Sequence, residues 1–408
     1  MRRPIKRNRI KLAAESQRIA NLAIAVTQSA SRLEDLSWQA RLDATVTKNF
    51  KLHHQDTLDA ACEFLFQSQP DAYEVMIETL ETVSTSATLT VEGKQYSTLL
   101  IAAPVLAWTR FEIASAPIPA ETATTLAEFL HSYILADDTQ LNILPNLYSI
   151  DQLPKSHCDV YATMEKYSLA QLKNSHRLQE QATAQTVPFL ADIRYVLATL
   201  TVPVGTAMFR WQNIDAPYDC AAAKNDALSQ WQLFAEPVIQ RMLPGCSIEL
   251  LMPEAYYTAC READIRIRPA SIRSAVFYLT QSLGKEANQF SAVIASFGEQ
   301  EMPGQIDEYR VSFCLKDSPE VIYGVVWPLY QADDQNSAVS MDESGQLTGE
   351  IAALLKESGI DDILPLEDIF SMEFCDDCGT PLFADRDADL VHTEMPDDLP
   401  TPGTAHFH

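Results

Sequence analysis

The stretch "TLTVEGKQYSTLLIAAPVLA", residues 88–107, is where the period of the chain changes. From Thr88 apolar and polar residues alternate, the chain can turn at Glu92-Gly93, and residues 99–107 are almost continuously apolar. Alternation, a turn and an unbroken apolar run predict a hairpin feeding a buried strand. Downstream, "AETATTLAEFLHSYIL" sets Leu126, Phe129, Leu130, Tyr133 and Ile134 on one helical face, and "TQLNILPNLY" returns to a strand pattern. That β–α–β order predicts an α/β layer.

The order recurs about a hundred residues later. "APVLAWTRFEIASAPI" (103–118) and "VPVGTAMFRWQNIDAPY" (202–218) share Pro104 with Pro203, Arg110 with Arg210, Phe111 with Trp211, and Ala-Pro at 116–117 and 216–217. After an intervening helix, "LPNLY" (144–148) matches "MPEAY" (252–256) in its proline and tyrosine. We read this as a tandem-duplicated α/β body with a mixed sheet, whose two units leave a cleft suited to a ligand.

Upstream the pattern is helical. Ser31 and Glu34 in "SRLEDLSWQARL" form a capping box ahead of a stripe through Leu33, Leu36, Ala40 and Val46, and Pro70 suits the first turn of "PDAYEVMIETLETV". Downstream, "FSAVIASFGEQ", "DEYRVSFCLK" and "EVIYGVVWPLY" read as consecutive antiparallel strands, followed by a polar linker and the amphipathic helix "LTGEIAALLKES". The expected organisation is a helical N-terminal region with a basic arm (1–85) and two α/β units (86–190 and 191–330). A linker with a helix (331–372) and a Cys-x-x-Cys tail (373–408) follow. The fold class is α/β or α+β.

Composition narrows the function. The 408 residues are 47% hydrophobic and carry a net charge of −26, yet residues 1–18 hold seven Lys and Arg against one acid. An acidic body repels nucleic acid and anionic lipid, so contact with either is expected only through the basic arm. No apolar run is long enough to span a membrane, and the apolar core of "IANLAIAVTQSAS" is short for a signal peptide. Of eight cysteines only Cys375 and Cys378 are closely spaced, which reads as reduced thiols in the cytoplasm. With 12 glycines there is no G-x-G-x-x-G, no Walker A loop, no G-x-S-x-G elbow and no HExxH, which argues against P-loop and dinucleotide-binding enzymes.

Two places carry chemistry. In "DIRIRPASIRSAV" (264–276), Arg266 and Arg268 share a face if the segment is extended, and Pro269 would open a helix with Arg273 in its first turn. Together with Arg210 they make a candidate anion-binding site. Near the end, "EFCDDCGTPLFADRDADLVHTEMPDD" (373–398) holds Cys-x-x-Cys before a glycine. The tight turn lets two thiolates converge, as in one knuckle of a zinc ribbon. A second pair is absent, so His392, with Glu394 or a distant side chain as fourth ligand, is the candidate partner of Cys375 and Cys378; the strands around "ADRDAD" would return position 392 towards the knuckle. Structural zinc and a metal-free knuckle both fit this spacing. A zinc deaminase fits poorly, since "HTE" follows "CDDC" instead of preceding it.

The runs "SRLEDLSWQARLDA" and "DAYEVMIETLE" and the C-terminal "CDDCGTPLF…LVHTEMP" resemble an uncharacterised family of unknown function found in beta-proteobacteria, over most of the chain. The resemblance implies a bacterial cytoplasmic protein and brings no activity or catalytic residues. The sequence thus points to a soluble binding or regulatory protein with a protein or small-molecule partner. The alternative is an enzyme acting on a small anionic substrate in the cleft between the units.

Overall fold

The computed structural model describes residues 12–109, 113–173, 190–212, 219–298, 306–330, 338–341 and 347–395. Most of the basic arm, Arg110, Phe111, Ala216, Pro217 and the last thirteen residues lie outside these.

Four helices open the described chain: α1 (Ala14–Thr27), α2 (Arg32–Lys51), α3 (Gln55–Ser68) and α4 (Pro70–Thr85). Ser31 caps α2 by accepting from the Glu34 N–H at 3.2 Å, and the Glu34 carboxylate accepts from the Ala30 N–H in return. The buried stripe of α2 is Leu42, Val46 and Phe50. Leu33 and Leu36, expected on it, are exposed, because the first two turns of α2 lie outside the bundle core.

A six-stranded sheet follows. β1 (Ser86–Val91) and β2 (Lys94–Trp108) form the hairpin, with Glu92 and Gly93 both at positive φ as a two-residue turn of this hand requires. After α5 (Ala120–Phe129) and one π turn, β3 (Gln140–Ser149) enters the sheet, then α6 (His157–Leu172) joins the N-terminal helices. β4 (Ala191–Pro203) lies antiparallel to β2 along its full length. α7 (Cys220–Gln240) leads into β5 (Ser247–Leu250) and β6 (Glu254–Ala255).

The two strand–helix–strand segments, β2–α5–β3 and β4–α7–β5, exchange strands: β3 pairs with β4, whereas β5 and β6 pair with β2. Both outer pairings break register at a proline, Pro145 between Ile143 and Leu147 and Pro253 between Leu250 and Glu254. A bulge tolerates the missing N–H. The leading prolines are not equivalent: Pro104 faces Tyr195 in mid-strand, while Pro203 faces Tyr96 at a strand end. Every described pairing in this sheet is antiparallel. The continuous apolar run arises because both faces are covered. Leu100, Ala102 and Leu106 pack under the N-terminal helices, and Ile101, Ala103 and Val105 pack under α5 and α7.

Helix α8 (Tyr256–Leu283) leaves the first sheet and reaches a second. Its N-terminal half buries Tyr256, Ala259 and Ala263 in the first core, and its C-terminal half buries Ile272, Ala275 and Leu279 in another. Pro269 sits inside this helix and does not begin one. The second sheet contains β7 (Phe290–Gly298), β8 (Glu308–Leu315) and β9 (Val321–Pro328), so these strands are separate from the sheet of the second unit. After the short pair β10 (Ser340–Met341) and β11 (Leu347–Thr348) and helix α9 (Glu350–Glu357), β12 (Asp362–Ser371) joins β7 in parallel. α8 and α9 cover one face. The tail covers the other.

Candidate functional site

The tail is a hairpin of β13 (Phe383–Ala384) and β14 (Leu390–Val391), with Phe383 opposite Val391 and Ala384 opposite Leu390. Asp385 closes the turn, accepting from the N–H groups of Asp387 and Asp389 at 2.9 Å each. Ahead of it, Phe374 bridges Pro381, the Cys375 N–H donates to Thr380 O, and the Gly379 N–H donates to Cys375 O. Gly379 takes φ +73°, which a glycine adopts without strain and which turns the knuckle back on itself.

This backbone brings together three side chains that could ligate a metal. The candidate ligand atoms of Cys375, Cys378 and His392 all lie within 4.8 Å of one another. Cys378 Sγ is 3.3 Å from His392 Nε2 and 2.9 Å from the Thr380 hydroxyl. Hydrogen bonds from the Thr380 hydroxyl and backbone N–H, and then from His392, pull the exposed Cys378 thiol down to about 6. His392 Nδ1 is buried without a hydrogen-bond partner. The Glu394 carboxylate is outside the group; its residue is exposed, and its N–H is tied to Val321 O on β9 at 3.1 Å. Cys314 is also outside it, buried under Phe383 and Val321, where desolvation pushes its thiol up to about 11.

Three contacts on β8 and β9 seat the hairpin. The fully buried Arg310 donates from Nη1 to Glu373 O at 2.9 Å and to Leu382 O, pairs with Glu308, and stacks over Phe297 and Phe374. Ser312 donates to Ala384 O at 2.6 Å. Gly324 leaves room for the Phe383 ring, which would lie 2.3 Å from a Cβ at that position. Sequence reading missed these anchors. Their signal was Arg310, Ser312 and Cys314 alternating with large apolar residues in "EYRVSFCL", a polar face on a strand with no exposed side.

The arginines expected to bind an anion are split up. Arg268 is buried, its guanidinium over Trp327 and Tyr330. On a helix, residues two apart point in different directions, so Arg266 and Arg268 do not share a face. Arg210 donates to Leu135 O and His131 O at 3.1 Å and pairs with Asp137, beside the π turn. Arg266 and Arg273 both line a cavity of about 650 Å³ between α8 and the ends of β2 and β5. Thr109 holds the back of this cavity by bonding Leu190 O and Gly245 O. A smaller cavity of about 180 Å³ shares Leu190 with it and reaches Thr380, Pro381 and Thr393 of the tail.

With the knuckle and its seat defined, residues 4–407 match a family model described as a protein of unknown function, DUF2863. The chain belongs to this family. No curated protein and no solved structure matches it. In this DUF2863 chain no described helix is long and apolar enough to cross a membrane.

Proposed function

We propose that the chain is a cytoplasmic binding or regulatory protein whose tail carries one structural zinc ion on Cys375, Cys378 and His392. The convergence of these three side chains carries the reading. Two thiolates and an imidazole around one point are a donor set suited to tetrahedral zinc. Glu394, exposed two residues after His392, is the proposed fourth ligand, reached by turning its side chain. The ion would lock the knuckle against the returning strand and so hold the hairpin on β8 and β9.

Binding is preferred over catalysis because the larger cavity has no histidine or cysteine among its described lining residues. A reducing compartment agrees with all eight cysteines being free. The test is elemental analysis of the purified full chain. One zinc per chain is expected, with Cys378→Ala and His392→Ala emptied of metal while keeping the far-ultraviolet circular dichroism of the parent. Absence of zinc from the parent, or a full complement retained in Cys378→Ala, overturns the reading.

A further inference from the structure

We infer that the cavity between α8 and the ends of β2 and β5 is a binding site for a small planar organic anion: an aromatic or similarly flat apolar body bearing a carboxylate, sulfonate or phosphate. The inference deepens the reading of the chain as a binding protein. It rests on size, walls and charge taken together. About 650 Å³ falls within the range of small-molecule sites.

Its apolar walls are Trp108 at the end of β2 and Phe277 and Tyr278 on α8. Phe277 is 58% exposed on a helix whose other large apolar groups are buried or half-buried, so this ring lies open in the free protein. A flat ligand face would cover it, as ring faces favour offset stacking.

Charge supplies the second half. Arg266 and Arg273 are seven residues apart on α8, two helical turns, so their side chains leave the same face about 10 Å apart along the axis. Each makes one ion pair, Arg266 with Glu262 at 3.4 Å and Arg273 with Glu357 at 3.2 Å, between half-exposed side chains. Such pairs are worth little in water. A guanidinium has five N–H donors in a planar fork, so one ion pair leaves most of this capacity for a carboxylate, sulfonate or phosphate in the cavity these side chains line. Among the described lining residues the two arginines outnumber the single carboxylate of Glu249, in a chain of net charge −26. Glu249 faces them from β5. It repels an anionic group from the sheet side and directs it to the arginines, and it can accept from an N–H or O–H on the ligand body.

The test is fluorescence titration of the full chain with 8-anilinonaphthalene-1-sulfonate, which joins a flat apolar body to an anion, beside the neutral N-phenyl-1-naphthylamine. Saturable one-site binding of the sulfonate is expected, weakening as salt is raised. Arg266→Gln with Arg273→Gln should weaken the sulfonate at least tenfold and leave the neutral probe within about twofold. Phe277→Ala should weaken both. All three side chains are largely exposed, and circular dichroism confirms that the variants remain folded. No saturable binding overturns the proposal, as does equal affinity of parent and double-arginine variant for the sulfonate, or an equal loss for both probes. Zinc content does not enter this measurement, so a chain that holds zinc but fails the titration loses the cavity site alone.

Discussion

Arg310 and Asp264 show at the scale of single residues how burial sets the behaviour of a charge. Arg310 is fully buried with Glu308 as its ion partner and two tail carbonyls as acceptors. Replacing it with methionine roughly keeps volume but leaves Glu308 without its arginine and the Leu382 carbonyl without its donor, while Glu373 O keeps only the bond from the Leu382 N–H. We expect Arg310→Met to cost about 3–5 kcal/mol in urea unfolding, the scale of a broken buried pair. A change under about 1 kcal/mol would show that the tail is not seated through this side chain. Asp264 on α8 is mostly buried, and desolvation pushes its carboxyl up to about 6 against the pull of Arg268 and a bond from Tyr330. A raised carboxyl stabilises the fold when protonated, and that contribution is lost as pH climbs from about 4 through about 6. Relative to Asp264→Asn, the parent should lose up to about 2 kcal/mol of stability between about pH 4.5 and pH 7.5. Parallel pH profiles for the two proteins would contradict this. The convergence of Cys375, Cys378 and His392 was legible in the sequence because the three are local. Arg310 was not, because it meets Glu373 and Leu382 from 63 and 72 residues away.

Among elements, α8 departs most from the sequence reading. A proline inside a helix removes one hydrogen bond and crowds the preceding turn, at about 3 kcal/mol, so a helix beginning at Pro269 was the local expectation. The helix runs through because each half is buried in a different core, and that burial offsets the local cost. The strand–helix–strand order of β2–α5–β3 and of β4–α7–β5 was legible from periodicity. The exchange of β3 and β5 between these two segments was not, since pairing partners are chosen by tertiary packing and not by local pattern. The tail hairpin makes its own prediction. Gly324→Ala places a methyl where the Phe383 ring lies, and overpacking of this kind costs about 1–3 kcal/mol. We expect it to release β13 and β14 and to speed tryptic cleavage at Arg386, which otherwise pairs with Asp362. A second change, Phe383→Leu, should restore part of the protection. Unchanged cleavage in Gly324→Ala would mean that the ring moves aside freely.

For the whole molecule, the long helix α8 joins two sheets: the larger cavity lies where it leaves the first, and the tail docks on the far face of the second. The cavity walls come from β2, β5 and α8, so no single stretch of sequence announced them. The charge of −26 was plain from composition, and it makes the self-repulsion of the folded body a global property. The central claim is that the tail is held by a metal ion bound through Cys375, Cys378 and His392. X-ray absorption at the zinc edge on the full chain, purified without added metal, tests it most directly. The account predicts a four-ligand shell with two sulfur neighbours at about 2.3 Å and nitrogen or oxygen neighbours at about 2.0–2.1 Å, which Cys378→Ala abolishes. No zinc signal, or a shell of nitrogen and oxygen without sulfur, would contradict it.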